Sequence, residues 1–176
     1  MAEIVLILGG NSSGKTRLAL FLATETPRLY IATGRITDHE MLTKIRAHRK
    51  ERRGWDTLIS PVLEPEDIKL AISSRNYRNA VIDCVGFFIT NCMAKGINPE
   101  VRIEEALKAM ASIEKVIVVS NEVGLGLVAP NPLARSFSQR LGHINQILAD
   151  KAGTVYFITS GQAITIKGPQ PKPPQV

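Results

Sequence analysis

Residues 9–16 read Gly-Gly-Asn-Ser-Ser-Gly-Lys-Thr, so Gly9, Gly10 and Gly14 frame the small polar Asn11, Ser12 and Ser13 and lead into Lys15 and Thr16. Such a stretch suits a polyphosphate. Glycines let the backbone curl until successive N–H groups point inward at phosphate oxygens, and a helix starting near Lys15 adds about half a positive charge at its first turn. Lys15 then reaches the outer phosphates, while the Thr16 hydroxyl is the type of oxygen that ligates Mg²⁺. The spacing from Gly9 through Gly14, Lys15 and Thr16 is that of a P-loop, and it lies between an apolar run and a helical pattern, as the motif requires.

Two further positions bear on chemistry. Asp83 closes the apolar run Ala-Val-Ile-Asp and stands where an acid at the carboxyl end of a neighbouring strand would share Mg²⁺ with Thr16; a helix cap or turn residue fits the same place, and spacing alone leaves both readings open. His48 lies within Lys-Ile-Arg-Ala-His-Arg-Lys-Glu-Arg-Arg, where Lys44, Arg46, Arg49, Lys50, Arg52 and Arg53 crowd around it. A histidine on an apolar stripe is commonly a core residue with its hydrogen bonds made. Flanking cations disfavour imidazolium, however, and leave a ring nitrogen free to attack phosphorus while screening the charge of the attacked group. Phosphate chemistry through a phosphoramidate is therefore open to it.

These residues need a scaffold, and the chain supplies one. Apolar runs with strand character alternate with stretches of helical period, the pattern of a mostly parallel sheet flanked by helices in an α/β domain. Strands are expected at residues 3–9, 29–33, 80–85, 116–121 and 154–160, and helices at 14–25, 65–75 and 100–115. From Thr37 a capping-box spacing to Glu40 starts a helix that places Met41, Ile45 and His48 on one stripe. Asn131 and Pro132 form an N-cap and first-turn pair for a helix running to about Lys151. Residues 1–167 read as one catalytic domain, and the proline-rich 168–176 as a disordered tail.

Composition narrows the function. The 176 residues are 44% hydrophobic and 22% charged, which fits one domain with one good core. No stretch approaches the roughly 20 apolar residues a membrane helix needs, and Glu3 stands where a signal peptide carries positive charge, so the expected location is the cytoplasm. Cys84 and Cys92 match no metal spacing and read as buried thiols. The net charge of +6 points to anionic partners, but aromatics make up only 5% of residues and none interleaves the basic run to stack bases. No guanine-reading Asn-Lys-x-Asp signature is present, which speaks against a GTPase switch.

Taken in order, Gly-Gly-Asn-Ser-Ser-Gly-Lys-Thr-Arg, Tyr-Ile-Ala-Thr-Gly-Arg-Ile-Thr-Asp-His-Glu-Met, the basic run ending Gly-Trp, Val-Ile-Asp-Cys, Ser-Asn-Glu-Val-Gly-Leu-Gly and Leu-Ala-Arg-Ser-Phe-Ser-Gln-Arg-Leu-Gly-His-Ile-Asn-Gln resemble the bifunctional adenosylcobinamide kinase and adenosylcobinamide-phosphate guanylyltransferase family, over nearly the whole chain. The resemblance implies a RecA-like P-loop fold and two reactions in cobalamin synthesis. The first phosphorylates adenosylcobinamide from ATP or GTP; the second transfers GMP from GTP onto the new phosphate through a guanylyl-histidine. It also implies that His48 is the guanylylated residue, that Gly9 to Thr16 hold triphosphate, that Thr33, Gly34, Arg35, Arg49, Lys50, Glu51 and Arg52 line the guanine nucleotide, that Thr16 and Asp83 serve Mg²⁺, and that the chain forms a homo-oligomer, by resemblance a trimer.

Of the departures from the family pattern, those at Ser12 and Leu20 are peripheral, that at Ala129 is neutral, and that at Ile59 bears on guanine selectivity. Ser12 replaces a usual arginine, Leu20 a usual acid, and Ala129 a usual proline; Ile59 stands where a glutamate that accepts from guanine or ribose is common. Two other functions stay open on the residues: a small-molecule kinase without guanylyl transfer, and a nucleotide-regulated nucleic-acid-binding ATPase that uses the basic run.

Overall fold

A computed structural model describes residues 2–34 and 52–170. The expected helix from Thr37, with Arg35, His48, Arg49, Lys50 and Glu51, lies outside the described residues, as does most of the proline-rich tail.

Among the described residues, seven strands form one sheet: β1 Glu3–Gly9, β2 Arg28–Ala32, β3 Trp55–Ile59, β4 Asn79–Asp83, β5 Lys115–Asn121, β6 Thr154–Thr159 and β7 Gln162–Lys167, in the spatial order β3-β2-β4-β5-β1-β6-β7. Every pairing is parallel except β6 with β7. The central strands are buried on both faces, which is why they read as unbroken apolar runs. Leu6, Ile31, Ile82 and Val118 point to one face, while Ile7, Tyr30, Val81 and Ile117 point to the other.

The first face packs against α2 Pro65–Ser74, α3 Val85–Lys95, α4 Pro99–Ala109 and α5 Pro132–Lys151, through residues such as Ile68, Phe88, Ile103 and Leu141. The second face packs against α1 Lys15–Leu22 through Ala19. The longest helix begins as its sequence demands: Asn131 Oδ1 accepts from the Ala134 N–H at 2.7 Å, with Pro132 in the first turn.

Three elements go beyond the sequence expectations. Strand β3 is a sheet edge with alternating exposure; α3 starts directly from the end of β4; and β7 returns antiparallel through a two-residue turn, Ser160 and Gly161, both at positive φ as a tight hairpin requires. That turn has a purpose at the site, because the Gly161 N–H donates to the Ser13 carbonyl at 3.1 Å and braces the P-loop from behind. At the chain end, the Tyr156 hydroxyl donates to the Pro169 carbonyl at 3.0 Å, so the start of the expected tail is tied to β6.

Candidate active site

Parallel register brings the strands' carboxyl ends together along one edge. Gly9 faces Asn121 on one side and Ile158 on the other; Asp83 faces Val119 and Ala32; Ala32 faces Ile59. Asp83 does not lie on the strand next to the P-loop strand, as its placement on a neighbouring strand implies. β5 is inserted between β1 and β4, a choice of strand order that no local residue pattern encodes.

The loop after β1 has the geometry its glycines allow. A Cβ on Gly9, at φ 157°, would run into the Ile158 carbonyl oxygen, and Gly14, at φ 100°, ends the loop in a conformation that side chains disfavour. Gly14 caps α1 with no side-chain hydrogen bond, so the first-turn N–H groups stay on offer to an anion. Lys15 is buried, and its ammonium donates to the carbonyls of Gly9 (3.0 Å) and Gly10. Burial lowers its pKa, opposed by the negative charge near Asp83. Ser13 Oγ is buried in the loop without a hydrogen-bond partner among the described residues, an orphaned donor of the kind a phosphate oxygen satisfies.

Across β5, Thr16 Oγ1 donates to Asp83 Oδ2 at 2.7 Å, and the Tyr30 hydroxyl donates to the same oxygen at 2.7 Å. A hydroxyl and a carboxylate in contact beside a phosphate loop form the small, all-oxygen donor set that Mg²⁺ takes together with phosphate oxygens and water, so the residues present fit that ion. Tyr30 itself is fixed from several sides. Its ring meets Trp55 edge-on at 6.3 Å, and the Arg52 guanidinium lies 3.5 Å over its centroid. Burial and then the Asp83 carboxylate push the Tyr30 phenol upward in pKa, which keeps it a donor.

Of the other expected nucleotide residues, Thr33 is fully buried. Its hydroxyl donates to the Cys84 carbonyl at 2.7 Å and accepts from the Cys84 N–H at 2.8 Å, while Asn91 Nδ2 donates to the Thr33 carbonyl at 2.9 Å. These bonds fasten the ends of β2 and β4 together. Gly34 follows near Phe87, whose ring would lie 3.7 Å from an added Cβ. Ile59 is 55% exposed at the end of β3. Both cysteines are buried with pKa values pushed up to about 11, mainly by burial, so neither supplies a ready thiolate.

Tyr30 and Glu122 carry site features that motif reading passes over. A tyrosine inside an apolar strand reads as core, and only the strand order shows that its hydroxyl meets Asp83. The Glu122 N–H donates to the Gly9 carbonyl at 3.0 Å, and its side chain lines a cleft of about 400 Å³ bounded by Gly10 to Ser13 and the end of β6.

The model of the family described as cobinamide kinase / cobinamide phosphate guanyltransferase matches residues 5–166. The chain belongs to this family. Its curated relatives include the bifunctional adenosylcobalamin biosynthesis protein CobU of Salmonella typhimurium, 33% identical with 93% of this chain and 99% of the relative covered, and CobU of Escherichia coli, 32% identical with the same coverage. The bifunctional adenosylcobalamin biosynthesis protein CobP of Pseudomonas aeruginosa is 34% identical over 93% of this chain and 96% of its own. In solved structures, a KaiC-like protein from Pyrococcus horikoshii superposes with a TM-score of 0.52 at 16% identity, covering 88% of this chain and 71% of that one. This likeness concerns the fold, and it agrees with the RecA-like P-loop sheet expected from the sequence. Membership of the cobinamide kinase / cobinamide phosphate guanyltransferase family makes the chain a kinase and nucleotidyltransferase. No helix of the described residues is long and apolar enough to cross a membrane.

Proposed function

We propose that this chain phosphorylates adenosylcobinamide with ATP or GTP and then transfers GMP from GTP to the adenosylcobinamide phosphate, through a guanylyl group carried on His48. The observation that supports this most is the pairing of a family match spanning residues 5–166 with Thr16, Asp83 and Lys15 gathered at one strand-end edge. In this reading Gly9 to Thr16 wrap the triphosphate, and Lys15 leaves its loop carbonyls for phosphate oxygens. Thr16 and Asp83 would hold Mg²⁺, which draws charge from the bridging oxygens. Thr33 fastens the strand ends beneath Gly34, while Arg35, Arg49, Lys50, Glu51 and Arg52 flank the guanine nucleotide. The protein acts in the cytoplasm as a homo-oligomer, for which a trimer is the expected form.

In guanylyl transfer, a neutral His48 ring nitrogen forms a bond to the α-phosphorus of GTP as the bond to the bridging oxygen breaks and pyrophosphate leaves. A phosphate oxygen of adenosylcobinamide phosphate then attacks the same phosphorus and frees the histidine. Incubation with α-labelled GTP and Mg²⁺ is expected to leave acid-labile, alkali-stable label on the protein, and γ-labelled GTP none. His48→Ala is expected to lose label and transfer while keeping the kinase step; His39 and His143 serve as controls. Label that persists in His48→Ala would overturn the assignment, and active GTP-binding protein without label would leave a kinase alone, the reading that Ile59 in place of a base-contacting acid favours.

A further inference from the structure

The kinase step needs something the phosphate loop does not supply. Phosphorylating an alcohol removes its proton, and an acceptor hydroxyl poised on the γ-phosphorus is a weak nucleophile unless a base stands within reach. The P-loop offers N–H groups, a lysine ammonium and hydroxyls, none of them a base. Asp83 already accepts from both Thr16 and Tyr30 through Oδ2.

Strand β5 carries another carboxylate to the same edge. It is the strand inserted between the P-loop strand and the Asp83 strand, so its carboxyl end opens directly beside Gly9. Buried Asn145 of α5 pins that end: Ser120 Oγ donates to Asn145 Oδ1 at 2.6 Å, and Asn145 Nδ2 donates to the Asn121 carbonyl at 3.1 Å. The next residue, Glu122, is held by its own N–H on the Gly9 carbonyl at 3.0 Å. Its Oε1 accepts from the Gly124 N–H at 2.5 Å, which folds the carboxylate back over its own turn, and Glu122 lines the cleft together with Gly10 to Ser13 and Leu125. A carboxylate is thereby fixed through backbone bonds, on a residue that lines the same cleft as Gly10 to Ser13 of the loop.

We propose that Glu122 is the general base of the kinase step, taking the proton of the acceptor hydroxyl in the cleft beside the P-loop. As the acceptor oxygen bonds to the γ-phosphorus and the bond to the β–γ bridging oxygen breaks, the hydroxyl proton passes to the Glu122 carboxylate, the nucleoside diphosphate leaves, and the proton is then lost to water. The assignment rests on the kinase half of the proposed function. Guanylyl transfer requires no such base, because its acceptor is already a phosphate anion.

That difference supplies the test. Glu122→Gln keeps the length of the side chain and an oxygen for the Gly124 N–H, but it cannot take a proton. Its kinase kcat is expected to fall by about 10²–10⁴-fold with KM for cobinamide little changed, while GMP transfer from GTP to supplied cobinamide phosphate stays within about threefold. Glu122→Ala, whose melting temperature and GTP affinity report folding and loop integrity, is expected to show the same split. Kinase turnover of Glu122→Gln within threefold of the parent would overturn the assignment, and so would equal loss of both activities, which marks a role in holding the loop. Parent protein that makes no cobinamide phosphate would instead overturn the kinase reading on which the assignment stands.

Discussion

Replacing Tyr30 by Phe isolates one oxygen. The ring keeps its edge-on packing on Trp55 and its place under the Arg52 guanidinium, and the single loss is the 2.7 Å bond from the phenol to Asp83 Oδ2. A hydrogen bond to a carboxylate contributes about 1.5–3 kcal/mol, and here the lower half applies, since Asp83 is only partly buried and still accepts from Thr16. At about 2–4 °C per kcal/mol for a chain of this length, the melting temperature is expected to drop by roughly 3–8 °C. The acid also loses the group that holds it toward Thr16, so the Mg²⁺ concentration that half-saturates GTP binding should rise by about three- to tenfold, with affinity for GTP in EDTA unchanged. Calorimetry and a titration of fluorescent GTP against Mg²⁺ read the two effects. Tyr156→Phe, which removes a bond to the Pro169 carbonyl far from Asp83, controls for the loss of a phenol. A melting temperature within 1 °C of the parent together with an unshifted Mg²⁺ dependence would refute the claim that Tyr30 holds Asp83 in place.

Two further predictions concern the ends of the site. Lys15→Ala is expected to remove both activities in steady-state assays, because in the proposed reading one buried ammonium serves the phosphates of both donors, and loss of only one activity would count against a shared loop. Ile59→Glu, at an exposed strand end, should raise the preference for GTP over ATP in the transfer step by on the order of tenfold, the equivalent of one added hydrogen bond of about 1.4 kcal/mol; unchanged selectivity in a competition assay would mean that other groups read the base.

The legible parts of this chain are those written in local pattern. The glycine spacing around Lys15, the apolar runs of β1, β4 and β5, and the Asn131–Pro132 start of α5 each follow from residue type over a few positions. What escapes the sequence is either nonlocal or unsignalled. The insertion of β5 between β1 and β4 depends on connections across the whole sheet. Helix α3 begins at Val85 with Cys84 as an N-cap that makes no side-chain bond, so its apolar start merges with the strand before it. Edge strands β3 and β7 alternate in exposure over five or six residues, too short a signal to separate from loop. Tyr30 looks like core because its ring is core; its hydroxyl acquires a partner only through the β2–β4 pairing that sets Ala32 beside Asp83.

In the proposed reading one loop serves two reactions, and the strand order fits attacking groups that come from different strands. Phosphorylation needs an attacker at the γ-phosphorus and guanylyl transfer one at the α-phosphorus, so with the shared loop proposed here two separate groups serve the two attacks. Glu122 extends from β5, which touches the P-loop strand directly. The stretch that carries His48 joins Gly34, after β2, to Arg52, before β3, and both of those strands lie on the far side of β4. Asp83 closes β4, which lies between β5 and β2, and is bonded to Thr16 of the loop and to Tyr30, over which Arg52 lies. The proposed roles predict distinct classes of variant: changes in the loop or at Asp83 act on both reactions, Glu122 on the first alone and His48 on the second alone. Glu122→Gln and His48→Ala measured side by side therefore test whether the two reactions use separate groups: loss of both activities in either variant would refute that division.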